Sequence, residues 1–122
     1  MAILTREPAA ERLVAALDAD PTRLISAATV VEASLVLLGR YGDAGEPLLD
    51  RLLRGIGAEV VPVGDEQLPL ARDAALRFGR GRHPAALNFG DCFSYALSLS
   101  RGEPLLFVGD DFARTDVEVC PW

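Results

Sequence analysis

Four carboxylates occupy positions where an acid is either costly or well placed for chemistry: Glu32, Asp91, Asp110 and Asp116. Glu32 is the sole charged residue in the run Ala-Ala-Thr-Val-Val-Glu-Ala-Ser-Leu-Val-Leu-Leu at positions 27–38. A helix that is apolar all round belongs in a core, and an unpaired carboxylate there is strongly disfavoured. Either Glu32 meets a buried Arg, or it protrudes at a thin edge, or it faces a cleft that holds a cation. Asp91 opens a helix in Asn88-Phe89-Gly90-Asp91-Cys92-Phe93, where the helix dipole and free N–H groups stabilise a carboxylate, so capping by itself accounts for it. Asp110 and Asp111 follow the apolar run 105–108. Ligands of open α/β sheets bind beyond the carboxyl ends of strands, which makes Asp110 a candidate ligand; a polar strand-to-loop turn is the everyday alternative. Asp116 either supports such a cluster from behind or is merely solvated.

Taken together, an acid within an apolar helix, an acid at a helix start and an acid at a strand end make a cluster of hard oxygen donors with no His or Cys competing. Such donors select Mg²⁺ or Mn²⁺ over zinc. The cluster suits phosphodiester hydrolysis, in which a cation acidifies water, orients the phosphate and offsets charge on the leaving oxygen. The acids repel one another until the cation binds. Arg77, Arg80, Arg82 and His83 form a basic patch upstream of Asp91, and Arg suits bidentate phosphate contact. The patch is either an RNA-contacting rim, with Arg80, Arg82 and His83 as its candidates, or a solvated loop. His83, the one histidine, has no Ser or Cys motif beside it and reads as a loop residue rather than a general base. Ser94 and Ser98 share a helix face with Asp91; they pack as small residues or hydrogen-bond near the site.

The elements that must position these groups alternate along the chain. Residues 5–18 read as a helix capped by Thr5, with Pro8 in its first turn and an apolar stripe of Leu13, Val14 and Leu17. Leu24 and Ile25 form a brief extended entry to a second helix, capped by Ser26 and running to Arg40. A third helix spans 44–54 and ends at Gly55, and residues 59–63 read as a strand. Asp65 caps a fourth helix with Leu68, Ala71, Ala75 and Phe78 on one face. The Gly- and Arg-rich loop 79–84 follows, then a fifth helix from Phe89 or Gly90 to Ser100, ended by Gly102. The apolar run 104–109 reads as a buried strand, and 117–119 as a last extended piece. Strands separated by helices predict a parallel sheet covered by helices, an α/β sandwich. Three strands are few for five helices.

The 122 residues suffice for a single domain, 1–122, and half are hydrophobic, which argues against disorder. No apolar run approaches the roughly 18 residues of a membrane span, and Met1 to Leu4 lack the pattern of a secretory signal. A cytoplasmic protein is expected, with Cys92 and Cys120 as free thiols. The net charge of −6 argues against a protein that coats nucleic acid. All 12 bases are Arg, which reads as a high-GC coding bias rather than a functional signal.

Three segments carry a family resemblance: Ser26-Ala27-Ala28-Thr29-Val30-Val31-Glu32, Leu87-Asn88-Phe89-Gly90-Asp91-Cys92-Phe93-Ser94-Tyr95-Ala96, and Leu105-Leu106-Phe107-Val108-Gly109-Asp110-Asp111-Phe112. In order and spacing they resemble the PIN domain and, more narrowly, the VapC toxins of type II toxin–antitoxin systems. Ile3-Leu4-Thr5-Arg6-Glu7-Pro8 and Phe112-Ala113-Arg114-Thr115-Asp116-Val117 extend the resemblance over essentially the whole chain. It implies a three-layer α/β/α sandwich with a short parallel sheet and a ribonuclease that holds Mg²⁺, or Mn²⁺, on acids. By motif position, Glu32, Asp91 and Asp110 are the implied catalytic and metal-site residues, with Asp116 an additional metal-site acid. The resemblance further implies a homodimer neutralised by a VapB-type antitoxin, with operator DNA met only through that antitoxin.

The family pattern starts with a short apolar strand ending in an Asp, typically within Asp-Thr-Ser-Ala, just before the segment matched by Ala2-Ile3-Leu4. Here the match starts after it. The expectation is therefore a sheet short of its N-terminal strand, a site short of one acid, and cleavage that is reduced or absent. The alternative reading is a catalytically impaired module that binds an antitoxin without cleaving RNA. A third, another small Mg²⁺ phosphohydrolase on an α/β fold, lacks both an Asp-nucleophile motif and a glycine-rich phosphate loop.

Overall fold

The computed structural model describes residues 10–122 of the chain. The expected cap at Thr5, the first-turn Pro8 and the expected absence of an N-terminal strand all fall outside the described residues. Within them, strand β1 (Leu24–Ser26) pairs in parallel with β2 (Glu59–Val61), Leu24 opposite Glu59 and Ser26 opposite Val61. Parallel pairing demands a long crossover. It is supplied by helix α2 (Ala27–Tyr41), a 3-10 turn at Gly42–Ala44 and helix α3 (Gly45–Ile56). Helix α1 (Ala10–Ala19) precedes β1; α4 (Leu68–Phe78) and α5 (Phe89–Arg101) follow β2. The α/β class expected from the alternation is what the chain adopts, with helices enclosing a short parallel sheet.

Several boundaries differ from expectation for identifiable reasons. β2 stops at Val61 because Pro62 has no N–H to donate to a ladder. The run 104–109 does not form a regular strand. Leu105 makes a single parallel bridge to Val119, through Leu105 N–H to the Glu118 carbonyl (2.8 Å) and Cys120 N–H to the Leu105 carbonyl (2.9 Å). Helix α3 runs through Gly55 and ends at Gly57, whose φ of 63° and ψ of 38° are left-handed and whose N–H bonds back to the helix. Asp65 does not cap α4, which starts later, at Leu68, with Pro69 in its first turn. Val14 is exposed, so the α1 stripe narrows to Leu13, buried, and Leu17, partly buried.

The main core gathers Ala71, Ala74 and Phe78 of α4 against Cys92, Tyr95 and Ala96 of α5, with Ala85, Leu87 and Val117 closing it. A smaller cluster of Ala33, Leu37 and Leu49 joins α2 to α3. Helix α2 is not buried all round. Val31, Leu35 and Leu38 lie exposed along one face, so its apolar composition overstated its burial. Cys92 is buried and Cys120 partly so, both as free thiols. No helix among the described residues is long and apolar enough to cross a membrane.

One side chain outside every sequence motif ties the layers together. Arg23 Nε donates to the Leu17 carbonyl and Nη1 to the Ile56 carbonyl, each at 2.8 Å, so one guanidinium serves the last turns of both α1 and α3. These carbonyls lie where intrahelical donors run out, the Leu17 carbonyl also taking the Asp20 N–H at 3.3 Å, and a cation there meets the negative ends of two dipoles. The Arg23 carbonyl accepts the Glu59 N–H (2.8 Å) at the start of the sheet. Arg23→Ala is therefore expected to lower unfolding stability by about 2–3 kcal/mol, measured by urea denaturation with an unchanged slope.

Candidate active site

The site is assembled where α2 crosses α5. Two contacts set that crossing: Thr29 Oγ1 and Ser94 Oγ lie 3.2 Å apart, and the Glu32 carboxylate packs against Gly90. Contact moves forward along α2 from Thr29 to Glu32 and backward along α5 from Ser94 to Gly90, so the helices run antiparallel here. A Cβ at Gly90 would overlap the Glu32 carboxylate. Only glycine lets the acid lie against the first turn of α5, where the positive end of the helix dipole draws it in.

Asp91 sits one residue further along. It forms a reciprocal cap with Asn88: Asp91 N–H donates to Asn88 Oδ1 (2.9 Å), and Asn88 N–H donates to Asp91 Oδ2 (3.0 Å). Capping and chemistry do not compete, because the cap occupies one carboxylate oxygen and fixes the direction of the other. Glu32 and Asp91 thus meet at one helix N-terminus, where burial raises both carboxyls. Burial, and after it the charge of Asp91, hold the Glu32 carboxyl above its ordinary value. Burial likewise raises Asp91; Asp111 adds to the rise, while the Asn88 N–H and Arg80 oppose it.

The remaining acids divide. Asp110 and Asp111 occupy the exposed turn that follows the 105–108 run, and the carboxylate that acts on Asp91 from this turn is Asp111. Asp116 has both oxygens engaged by protein donors. Tyr95 Oη donates to Oδ1 (2.6 Å), and Arg77 Nη2 donates to Oδ2 (3.3 Å). The Tyr95 hydrogen bond, with Arg77, holds its carboxyl below the ordinary range; burial, and after it Asp116, push the Tyr95 phenol up. Asp116, expected as an additional metal-site acid, here links α4 to α5 through Arg77 and Tyr95. Among the described residues no three His, Cys, Asp or Glu side chains converge as a metal-binding group. The charged centre is the Glu32–Asp91 pair, with Asp111 acting from the adjoining turn.

The basic patch also divides. His83 Nδ1 accepts the Ala85 N–H (3.0 Å) and its ring meets Phe78 edge-on at 5.1 Å, so it shapes its own loop. Arg82 Nε donates to the Leu76 carbonyl (2.9 Å) at the end of α4. Arg77 is shared between Asp73 and Asp116. Arg80 is the member of the patch whose charge reaches Asp91. A cavity of about 630 Å³ adjoins Glu32; Ser26, Thr29 and Ser94 are among its other polar lining residues, and residues of β1, α1, α3 and 105–108 form its apolar walls. Thr29, Gly90 and Asp111 were not singled out in the sequence. A glycine directly ahead of a helix-opening acid was the available signal for Gly90.

The model of the PIN domain matches residues 1–118. The chain belongs to the PIN-domain family. Among its relatives, VapC ribonuclease Mb0640 of Mycobacterium bovis is 46% identical over 117 residues, covering 96% of this chain and 89% of the relative. Ribonuclease VapC30 of Mycobacterium tuberculosis matches to the same extent, at 46%. Ribonuclease VapC of Mycolicibacterium smegmatis is 47% identical over 117 residues, covering 96% of this chain and 91% of its own length. The chain is thus a PIN domain of the VapC branch, and its crossing of α2 and α5 is where that domain gathers its acids here.

The paired acids have a consequence for stability. A raised carboxyl favours folding in its protonated form; that contribution is complete below the ordinary values of 4.5 for Glu32 and 3.8 for Asp91, and is lost as pH rises through the raised values. At neutral pH the ionised pair opposes folding. Glu32→Gln in the absence of divalent cations is therefore expected to raise Tm by about 2 °C at pH 7, an effect that shrinks as pH falls toward the acidic range. Thermal melts of both proteins across pH check it.

Proposed function

We propose that the chain is a metal-dependent endoribonuclease toxin of a VapBC-type toxin–antitoxin system, cleaving RNA phosphodiester bonds in the cytoplasm. The observation that carries this reading is the Glu32–Asp91 pair: two acids brought together at a helix N-terminus, both raised by burial, with the Asp91 charge adding to the rise of Glu32 and Asp111 to that of Asp91, in a PIN domain. Their donor chemistry fits Mg²⁺ or Mn²⁺, because Mg²⁺ keeps several waters and needs only one or two carboxylates besides a substrate phosphate. Glu32 and Asp91 would hold the cation, with Asp110 and Asp111 approaching from the turn after residue 108. When bound, the cation supplies Lewis-acid chemistry, acidifying water and offsetting phosphate charge.

The chain's own residues do the rest. Asn88 and the α5 backbone fix Asp91 through Oδ2, leaving Oδ1 as its donor atom. Gly90 seats Glu32, whose carboxyl burial and the Asp91 charge hold above its ordinary value, as suits a proton acceptor for an attacking water. Thr29 and Ser94 lock the helix crossing that sets the spacing of the two acids. Arg80 offers a positive charge beside an otherwise acidic site, where a phosphate must approach; Arg82 and His83 support its loop. Asp116, through Arg77 and Tyr95, positions α4 against α5 rather than meeting the cation.

The partner reading is a homodimer neutralised by a VapB-type antitoxin, with DNA reached only through that antitoxin. Its support is the exposed face of α2, where Val31, Leu35 and Leu38 are 60%, 64% and 49% exposed at spacings of four and three residues. Leu35→Glu is expected to shift the chain to monomer, read by light scattering, while its circular dichroism stays unchanged.

The absence of a three-acid group among the described residues favours a second reading, an impaired module that binds antitoxin without cleaving. Incubating the chain with single-stranded RNA and Mg²⁺ decides between them. Cleavage that EDTA abolishes, and that Glu32→Gln and Asp91→Asn each reduce by about a hundredfold or more, is the expected outcome. Background cleavage equal in all three proteins would leave only the binding module.

A further inference from the structure

A second cavity, of about 530 Å³, opens on the other side of the α5 N-terminus, between α4 and α5. Its size falls within the roughly 300–1,000 Å³ of small-molecule sites. Its walls are apolar, from Leu68, Ala71, Ala75, Leu87 and Cys92, and its charged lining residues are Arg72 and Arg80, with no carboxylate among them. In a chain of net charge −6 that selection of sign is informative. Neither arginine forms an ion pair among the described residues. Phe89 stands at the rim, 81% exposed, its ring edge-on to Phe93 at a centroid distance of 4.9 Å. An aromatic side chain so open to water gains nothing for the fold, and it sits on the same helical turn as Asp91.

We propose that Phe89, Phe93 and Arg80 form a nucleotide subsite of the ribonuclease, in which one base of single-stranded RNA stacks on the Phe89 ring while Arg80 meets its phosphate. Stacking on an aromatic face beside a cation is how single strands are held without a base-pairing code. Gly90 separates the two functions by one residue: Phe89 on its amino side holds the base, and Asp91 on its carboxyl side, with Glu32, faces the bond to be cut. The subsite thereby sets which nucleotide lies next to the cleaved phosphate. It rests on the ribonuclease reading for that last step alone, since stacking and phosphate contact need no cleavage.

Binding measured without cleavage therefore tests it. Fluorescein-labelled single-stranded RNA of eight nucleotides is titrated with the full chain in EDTA and followed by anisotropy. Phe89→Ala is expected to weaken binding about tenfold or more, and Phe89→Trp to retain it. Arg80→Gln is expected to weaken all sequences alike and to flatten the salt dependence. Oligonucleotides carrying one abasic residue supply the decisive arm: a single position should penalise the native chain and lose its penalty in Phe89→Ala, a coupling that a structural role would not produce. Equal affinity of Phe89→Ala and the native chain, or an abasic penalty that survives the substitution, overturns the proposal. So does unchanged RNA affinity accompanied by a changed oligomeric state or lost antitoxin binding, which would assign Phe89 to a protein interface. Phe89-dependent binding by a chain that never cleaves RNA with Mg²⁺ would retain the subsite and sink the ribonuclease reading.

Discussion

The seat of the Glu32 carboxylate on Gly90 is the contact on which the site depends. It requires a helix that arrives with one acid on an otherwise apolar surface and a second helix whose first turn lacks a side chain at the meeting point. Both conditions are met by single residues, and the contact places two like charges at one helix N-terminus. A carboxylate pair in that position opposes folding at neutral pH, yet the free N–H groups and dipole of α5 moderate the cost. The result is a local electrostatic deficit at a rigid point, suited to a cation and poorly suited to anything else.

The surrounding architecture serves to hold that point still. Thr29 and Ser94 add a hydrogen bond along the same crossing, and Tyr95 reaches from α5 to Asp116, which also takes Arg77 of α4. Arg23 works at the opposite end of the layers, joining the carbonyl ends of α1 and α3 to the start of the sheet. With two short strands among the described residues, the sheet contributes little pairing there. Side chains that bridge elements replace the long hydrogen-bond ladders a larger sheet would supply.

Charge is distributed with corresponding economy. Glu32 and Asp91 face the crossing of α2 and α5 without an ion-pair partner among the described residues, whereas the acids at 73 and 116 are matched to Arg77. Arg80 lies where it acts on Asp91 and also lines the cavity beneath Phe89. An acidic chain can bind an anionic polymer when an arginine such as Arg80 lies next to the reacting groups, because field strength at the site, rather than net charge, governs approach.

The sequence by itself determined the order of the helices, the Ser26 cap, the Gly102 stop, Glu32 as an acid out of place and Asp91 as the acid that opens α5. These follow from local rules: capping geometry, periodicity and the cost of a lone charge within an apolar run. Tertiary structure alone decided which acids meet. Asp111 rather than Asp110 acts on Asp91, and Asp116 turns to Tyr95 and Arg77, because carboxylates a few residues apart on a turn differ in direction, which spacing does not encode. The 104–109 run reads as a strand but holds only one bridge, since β structure depends on a neighbour that composition cannot reveal. Burial of α2 was overread for the same reason: Val31, Leu35 and Leu38 are apolar whether or not another surface covers them.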